Sequence, residues 1–192
     1  MKKVLLLSSA VLVLGTTLAA CGADEKASGE KTTAKSAQTT TAKEKDQRQY
    51  YVQTWSDDWR GLQSKIKHVT SVKLSDTTKT SMKITAEGVI GVKIHVENTS
   101  DKDVYSFFNK AILVADGKEY KISANDSING TVLKLGKGQE KDVLLNFHIP
   151  KMSKFDQFDN VTLKWTTSDQ SDINKVNDTN SKKRLANLPL KK

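Results

Sequence analysis

Apolar and polar residues alternate with a period of two along much of the chain between residues 62 and 166. Such alternation predicts β-strands that bury one face and expose the other. The clearest run, VIGVKIHVEN at 89–98, places Ile90, Val92, Ile94 and Val96 inward and Lys93, His95 and Glu97 outward. Two further runs place Val143, Leu145, Phe147 and Ile149, and then Val161, Leu163 and Trp165, on inward faces. A less regular run places Ile66, Thr70, Val72 and Leu74 on one face, continued by Met82 and Ile84.

Turn signals separate these runs. Asp116-Gly117 stands between two β-rich runs and suits a two-residue type I′ hairpin turn. Gly136 and Gly138 mark a second turn, and Pro150 ends a strand because proline cannot donate to a ladder. The pattern therefore predicts about seven to nine short strands and no long helix, which is typical of an all-β fold with two packed antiparallel sheets.

An aromatic lead-in, residues 47–61, precedes the alternating region. Tyr51, Trp55 and Trp59 are spaced four residues apart, as on one stripe of a short helix. Such a stripe could be a platform for glycan or for the membrane interface. Aromatic stripes at helical spacing usually belong to the core, and we favour that interpretation.

The N-terminal segment has the layout of an export signal. Lys2 and Lys3 precede an uncharged apolar run, and small residues lead to Leu18-Ala19-Ala20-Cys21. The run is shorter than the ~20 residues of a membrane-spanning helix. Its end resembles a bacterial lipobox, and the resemblance implies a signal peptide over 1–20, cleavage between Ala20 and Cys21, and a diacylglyceryl group on the Cys21 sulfur. The chain has one cysteine, so lipidation would leave no thiol for catalysis and no disulfide.

Two segments outside the alternating region are predicted to be disordered. Residues 21–46 begin with the lipid anchor and lack aromatic and branched aliphatic residues, so they resemble a flexible tether. Residues 167–192 form a polar tail with a basic end, KKRLANLPLKK, which is expected to be free and solvated. The folded part is therefore expected to be the sandwich over 62–166, preceded by the lead-in.

Charge narrows the possible partners. The chain has 31 basic and 22 acidic residues, a net charge of +9, and loss of a signal with two lysines leaves +7. This excess favours anionic wall polymers or acidic lipid. Nucleic acid is not expected, because the lysines are spread along the chain and export removes the protein from the cytoplasm. Solvated lysines without a specific polyanion site are the alternative.

A family resemblance follows from the turns and strands between residues 62 and 165. A long strand ends in Asn98-Thr99, a hairpin carries Asp116-Gly117, and a Gly138 turn introduces a strand that ends at Pro150. This order resembles bacterial lipoproteins of unknown function with a telokin-like, immunoglobulin-related sandwich, similar to a secreted mycobacterial immunoprotective antigen. The resemblance implies an immunoglobulin-like fold. It implies no catalytic residues, and Lys137 stands where such proteins commonly have proline.

Candidate chemistry is sparse. The histidines His68, His95 and His148 match no metal-ligand spacing, and we expect no metal or cofactor site. Ser64 and Lys67 fit the S-x-x-K motif of penicillin-recognising enzymes, but residues three apart on a strand face opposite sides. Acidic turns at Asp101/Asp103 and at Asp156/Asp159 could ligate calcium, although neither has a recognisable ligand loop.

The sequence therefore predicts a non-enzymatic, lipid-anchored module on the extracytoplasmic face of the cell membrane, in a Gram-positive cell. Its expected role is binding or scaffolding, with an envelope protein or an anionic wall polymer as the partner. The alternative is an envelope enzyme, or an accessory subunit of a membrane or cell-wall enzyme or transporter. A buried, convergent acid–base pair in a cleft would favour the enzyme.

Overall fold

The computed structural model describes residues 44–123 and 132–191, which lie within one structural unit, Thr41–Lys192. The predicted signal peptide, Cys21 and most of the predicted tether lie outside the described residues. Within the described residues the chain forms eleven strands and one short α-helix. None of the described helices is long and apolar enough to cross a membrane.

The strands form two antiparallel sheets. The first sheet contains β1 (Gln47–Val52), β2 (Ser56–Trp59), β3 (Leu62–Lys73), β4 (Gly88–Asn98) and β9 (Glu140–Ile149), in the order β1-β3-β4-β9, with β2 beside β1 on the same edge of β3. The second contains β5 (Val104–Ser106), β6 (Ile112–Ala115), β7 (Lys118–Lys121), β8 (Leu133–Leu135), β10 (Asn160–Ser168) and β11 (Ser181–Pro189), in the order β7-β6-β10-β5-β8, with β11 also paired to β10. Helix α1 (Asp76–Met82) connects β3 to β4, and 3₁₀ turns lie at Phe108–Lys110 and Ile173–Lys175.

The core lies between the two sheets, and the predicted inward positions of β4, β9 and β10 are confirmed. The buried side chains are Ile90, Val92, Ile94 and Val96 on β4, Val143, Leu145, Phe147 and Ile149 on β9, and Val161, Leu163 and Trp165 on β10. The fold is therefore the predicted all-β sandwich, with more strands than the turn signals indicated. The additional strands come from segments that the sequence pattern assigned to a helix and to a tail.

The alternation of buried and exposed side chains along β3 shifts by one residue in the middle of the strand. The side chains predicted to face the core are therefore wrong beyond Ile66. The register against β4 shifts between Ile66 and His68. A β-bulge of this kind adds one residue to a strand and reverses which side chains face the core. Val69 is therefore buried, whereas Thr70 and Val72 are half-buried on the other face. The predicted continuation is also wrong, because Met82 is exposed at the end of α1.

The aromatic lead-in is not a helix. Residues 47–61 form β1 and β2, which pair with the two ends of β3. Tyr51 lies in the core, and the ring of Trp55 packs edge-on against Trp165 with 5.4 Å between centroids. The core interpretation of the aromatic residues is thus confirmed, although their helical spacing was coincidental. Pairing with β3 satisfies the backbone of this segment, whereas an isolated helix of this length is marginal in water.

The C-terminal segment is not a free tail. Strand β11 pairs with β10 along its whole length, from Ser181 opposite Ser168 to Pro189 opposite Asn160. Its alternate residues Arg184, Ala186 and Leu188 are buried, and so is Leu190, directly after the strand. The prediction failed because an arginine occupies one inward position and hides the period of two. The sandwich therefore extends from β1 to β11 rather than over 62–166.

The predicted turns have different outcomes. Asp116 and Gly117 both have positive φ, 47° and 71°, as a type I′ turn requires, and they connect β6 to β7. Gly138 also has positive φ, 69°. Its turn joins β8 to β9, which belong to different sheets. This segment is therefore a crossing between the sheets and not a hairpin.

Candidate functional site

The outer face of the first sheet, meaning the side of β1, β3, β4 and β9 that points away from the core, carries the candidate site. Antiparallel pairing aligns its side chains in rows across the strands. One row contains Lys65, His95 and Asp142, the next contains Gln63, Glu97 and Glu140, and a third contains Val52, His68, Lys93 and Leu144. The first two rows form the polar half of the outer face. The apolar half begins at the third row and contains the exposed side chains of Tyr50, Val52 and Leu144.

Asp142 is the centre of an ion-pair network in the polar half. Its carboxylate lies 2.9 Å from Lys67 Nζ and 3.1 Å from Lys93 Nζ. The His95 Nδ1 lies 2.9 Å from Asp142 Oδ1. The hydrogen bond from Lys67, followed by those from His95 and Lys93, holds the pKa of Asp142 far below its usual range. Asp142 is therefore an anion at any physiological pH, and it fixes the orientation of the His95 ring.

The other imidazole nitrogen of His95 lies near Glu140, and Glu97 is close by. His95 Nε2 lies 3.6 Å from Glu140 Oε2. Glu97 is the residue directly opposite Glu140 in the pairing of β4 with β9. One ligand atom from each of His95, Glu97 and Glu140 lies within 4.8 Å of the others. This grouping has the donor types of a transition-metal site.

The sequence reasoning missed this grouping. His95 and Glu97 are two apart on one strand, so they share a face, and that was the available signal. Glu140 comes from β9, and its position depends on the register between two strands that are distant along the chain.

A groove of about 700 Å³ adjoins the polar half. Ser56, Asp58, Gln63 and Lys65 line it, with His95 and Glu97 on its wall. Strand β2 supplies one side of the groove and is therefore important for its shape. The groove is open to solvent, which suits binding of an extended or surface-exposed group rather than enclosure of a small molecule.

A buried ion pair holds β2 against the second sheet. Arg184, on β11, has a fully buried side chain, and its Nη1 lies 2.7 Å from Asp57 Oδ2. Arg184 also donates to the Leu62 carbonyl oxygen at 2.9 Å and to Thr167 Oγ1 at 3.2 Å. Burial lowers the pKa of Arg184, and the charge of Asp57 opposes that effect. For Asp57, burial acts to raise the pKa, but the hydrogen bond from Lys182 and the charge of Arg184 outweigh it and lower the pKa.

The apolar half of the outer face exposes large hydrophobic side chains. Tyr50 is 55% exposed, Val52 84% and Leu144 49%. They account for half of the six large exposed hydrophobic residues in the described part of the chain. The Tyr50 ring packs edge-on against His68 with 6.0 Å between centroids. A Cβ added at Gly91 would lie 3.3 Å from Asn146 Oδ1 and 3.5 Å from Leu144 Cδ1, so this glycine lets both side chains lie low over the strand.

The predicted histidine orientations are confirmed. His95 and His148 point away from the core and are half-buried on the outer face. Ser64 is buried toward the core, whereas Lys67 pairs with Asp142 on the other side. The S-x-x-K match therefore does not bring a serine and a lysine together. Cys21 lies outside the described residues.

The acidic turns do not converge into ligand sets. Asp103 pairs with Lys134 at 2.7 Å, and Asp159 pairs with Lys191 at 3.4 Å. Within residues 44–123 and 132–191, neither predicted calcium turn gathers three carboxylate or imidazole ligands. The donors that do gather are those of His95, Glu97 and Glu140.

Comparisons with known proteins give structural likenesses alone. No protein-family model matches the chain, and no curated protein matches it. A functionally unknown protein of Listeria monocytogenes is 15% identical with a TM-score of 0.48, covering 73% of this chain and 84% of its own. A Bacillus subtilis protein provisionally described as a lipoprotein is 14% identical with a TM-score of 0.46, covering 70% of this chain and 38% of its own. A conserved hypothetical protein of Bacillus anthracis is 15% identical with a TM-score of 0.40, covering 66% of this chain and 92% of its own. At these scores and identities the likenesses carry no argument about function.

Proposed function

We propose that this chain is a lipid-anchored, non-enzymatic binding module on the extracytoplasmic face of a bacterial membrane, and that it binds a protein partner through the outer face of its first sheet. The anchor rests on the lipobox-like Leu18-Ala19-Ala20-Cys21. The binding surface rests on the grouping of Tyr50, Val52 and Leu144 in the apolar half. The telokin-like, immunoglobulin-related assignment belongs to the same proposal, because the turns at Asn98-Thr99 and Asp116-Gly117 support it.

A protein partner fits this surface better than an anionic polymer does. Exposed apolar patches with polar surroundings are typical of protein interfaces, in which tyrosine is enriched. Two lysines of this face, Lys67 and Lys93, already pair with Asp142. Their charge is therefore partly neutralised within the protein, which weakens the case for a polyanion at this face.

The openness of the outer face supports binding over catalysis. An acid–base catalyst needs its groups in a cleft that excludes water. The His95–Asp142 pair lies on an open sheet face, and the Asp142 side chain is 37% exposed.

The test is site-specific photo-crosslinking in the producing cells. A photoreactive residue replaces Val52 in the apolar half or, as a matched control, Leu185, which is 55% exposed on β11 of the second sheet. We expect a discrete adduct with another protein from position 52 and none from position 185. Leu144→Glu should suppress the adduct, because a charge would then have to be desolvated in the apolar half.

Two results would overturn the proposal. Equal labelling from positions 52 and 185 would mean that the outer face has no preference for a partner. An adduct of twice the mass of this chain would show that the apolar half contacts a second copy.

A further inference from the structure

We infer that His95, Glu97 and Glu140 form a binding site for a first-row divalent transition-metal ion, with Zn²⁺ and Cu²⁺ as the ions bound most tightly. This site is independent of the protein partner, because metal binding can be measured on the purified chain alone. Its three donors come from β4 and β9, two paired strands of the sheet, of which β9 is the last in the strand order. The backbone therefore holds the donors in place without a loop.

The distances between the donor atoms are close to those in a site that holds a metal ion. Two donors bound at about 2.0–2.2 Å to one tetrahedral ion lie about 3.3–3.6 Å apart. His95 Nε2 and Glu140 Oε2 are already 3.6 Å apart. One carboxylate oxygen of Glu97 lies within 4.8 Å of a ring nitrogen of His95 and of a carboxylate oxygen of Glu140, so small rotations of the half-buried Glu97 and the exposed Glu140 side chains would complete the set.

The orientation of His95 favours a metal at Nε2. Its Nδ1 lies 2.9 Å from Asp142 Oδ1. A metal-bound histidine almost always donates its other ring N–H to a carboxylate, a carbonyl or water, and this partner fixes the tautomer and the ring orientation. With Nδ1 donating to Asp142, the lone pair is on Nε2, the nitrogen that lies 3.6 Å from Glu140 Oε2. Asp142 is thus a positioning residue.

The charges around the glutamates are the independent observation that calls for a cation. Glu97 and Glu140 are directly opposite each other, and like charges in that position are destabilising. In the described part of the chain no lysine or arginine forms an ion pair with either glutamate, although lysines outnumber acids overall. Asp142, one row away, pairs with two lysines. A bound divalent ion would relieve this repulsion, which no lysine or arginine ion pair of the described residues compensates.

The donor set selects the class of metal. One imidazole nitrogen with carboxylate oxygens suits zinc, copper, nickel or cobalt, whereas calcium and magnesium prefer oxygen ligands alone. Three protein donors leave at least one coordination position for water or for a group of a binding partner. That position would face the groove lined by Ser56 and Asp58.

The experiment is calorimetric titration of the purified full-length chain with Zn²⁺. Cys21→Ser is present in every sample so that the single thiol contributes no ligand, and no polyhistidine tag is used. We expect one ion per chain. His95→Ala and Glu140→Gln should each weaken binding at least about tenfold, in line with the loss of one ligand. His148→Ala, which removes a histidine from the same sheet face away from the cluster, should leave affinity unchanged.

A spectroscopic measurement separates ligation from a general effect on folding. Electron paramagnetic resonance of the Cu²⁺-loaded protein should show coupling to a single imidazole nitrogen, which disappears in His95→Ala. Asp142→Ala should weaken Zn²⁺ binding about 10–100-fold yet retain that nitrogen signal, because it removes the orienting group and not the ligand. Metal-free melting temperatures of the variants confirm that each folds.

The inference fails under any of three results. These are no Zn²⁺ binding at millimolar concentration, binding of equal strength in His95→Ala, or equal losses in His95→Ala and His148→Ala.

Discussion

The buried pair between Arg184 and Asp57 makes a sharp prediction about what holds β2 and β11 in place. Asp57→Ala removes the carboxylate that lies 2.7 Å from a guanidinium with a fully buried side chain. Breaking a buried ion pair by removing one partner costs about 3–5 kcal/mol, because the other charge is left buried without compensation.

The expected cost is reduced by two features of this site. The Asp57 side chain is 25% exposed, and Arg184 keeps its hydrogen bonds to Leu62 and Thr167. We therefore expect Asp57→Ala to lower the free energy of unfolding by about 2–3 kcal/mol. For a domain of this size, that corresponds to a fall in Tm of about 4–12 °C.

Urea unfolding of the full-length chain, followed by tryptophan fluorescence, measures this free energy. Asp159→Ala is the matched control, because Asp159 is 76% exposed and pairs with Lys191 at 3.4 Å. Its effect should stay within about 0.5 kcal/mol.

A double-mutant cycle completes the test. Asp57→Ala combined with Arg184→Met removes both charges, and an apolar replacement of a buried pair is often tolerated. We expect a favourable coupling of at least about 1.5 kcal/mol relative to the sum of the single variants. Additivity of the two effects, or a loss in Asp57→Ala no larger than in Asp159→Ala, would refute the assigned role of the pair.

Three further predictions follow from the anchor, the bulge and the charge of Asp57. Cys21→Ala should abolish labelling by fatty acid and release the protein from the membrane fraction, whereas retained acyl labelling would contradict the lipobox assignment. Val69 is fully buried, so Val69→Ala should lower the free energy of unfolding, measured in urea, by about 2–3 kcal/mol. Val72→Ala on the outer face should lower it by less than about 1 kcal/mol. The reverse order would contradict the bulge. The folded state lowers the pKa of Asp57 below its value in the unfolded chain, which is about 3.9. Asp57 therefore contributes its full stabilisation at pH values above about 3.9. This stabilisation is lost as the pH falls through the folded pKa. Asp57→Asn should therefore flatten the loss of unfolding free energy between about pH 5 and pH 2, and parallel curves for the two proteins would exclude this linkage.

Much of the core could be predicted from local patterns. In β4, β9 and β10 most inward positions are apolar, with Asn98 and Thr167 as buried polar exceptions, and most outward positions are polar, so a period of two identified the buried face before any contact was known. The turn at Asp116-Gly117 was equally predictable, because few other residue pairs tolerate two consecutive positive φ angles. These features depend on neighbours in the chain.

Other features could not be predicted, because they depend on residues distant in sequence. The bulge in β3 lies where Gln53 donates to the Lys67 carbonyl oxygen at 3.2 Å, so a preceding segment takes part in setting the phase of the strand. Strand β11 was missed because the burial of Arg184 becomes tolerable through Asp57, which lies on β2. The sequence around Arg184 does not indicate its carboxylate partner, and the sequence around Asp57 does not indicate its arginine partner.

The sequence by itself determined that this chain is an all-β sandwich, and it supplied the lipobox-like motif on which the proposed anchor rests. The tertiary structure decided which outward residues meet. His95 and Glu97 share one strand by periodicity, but Glu140 and Asp142 join them through the register of β9 on β4. Pairing register arises from the packing of the whole sheet against the core, and a slip of one residue would have turned both acids inward. For that reason the candidate site could be read from the assembled sheet and not from the spacing of its residues along the chain.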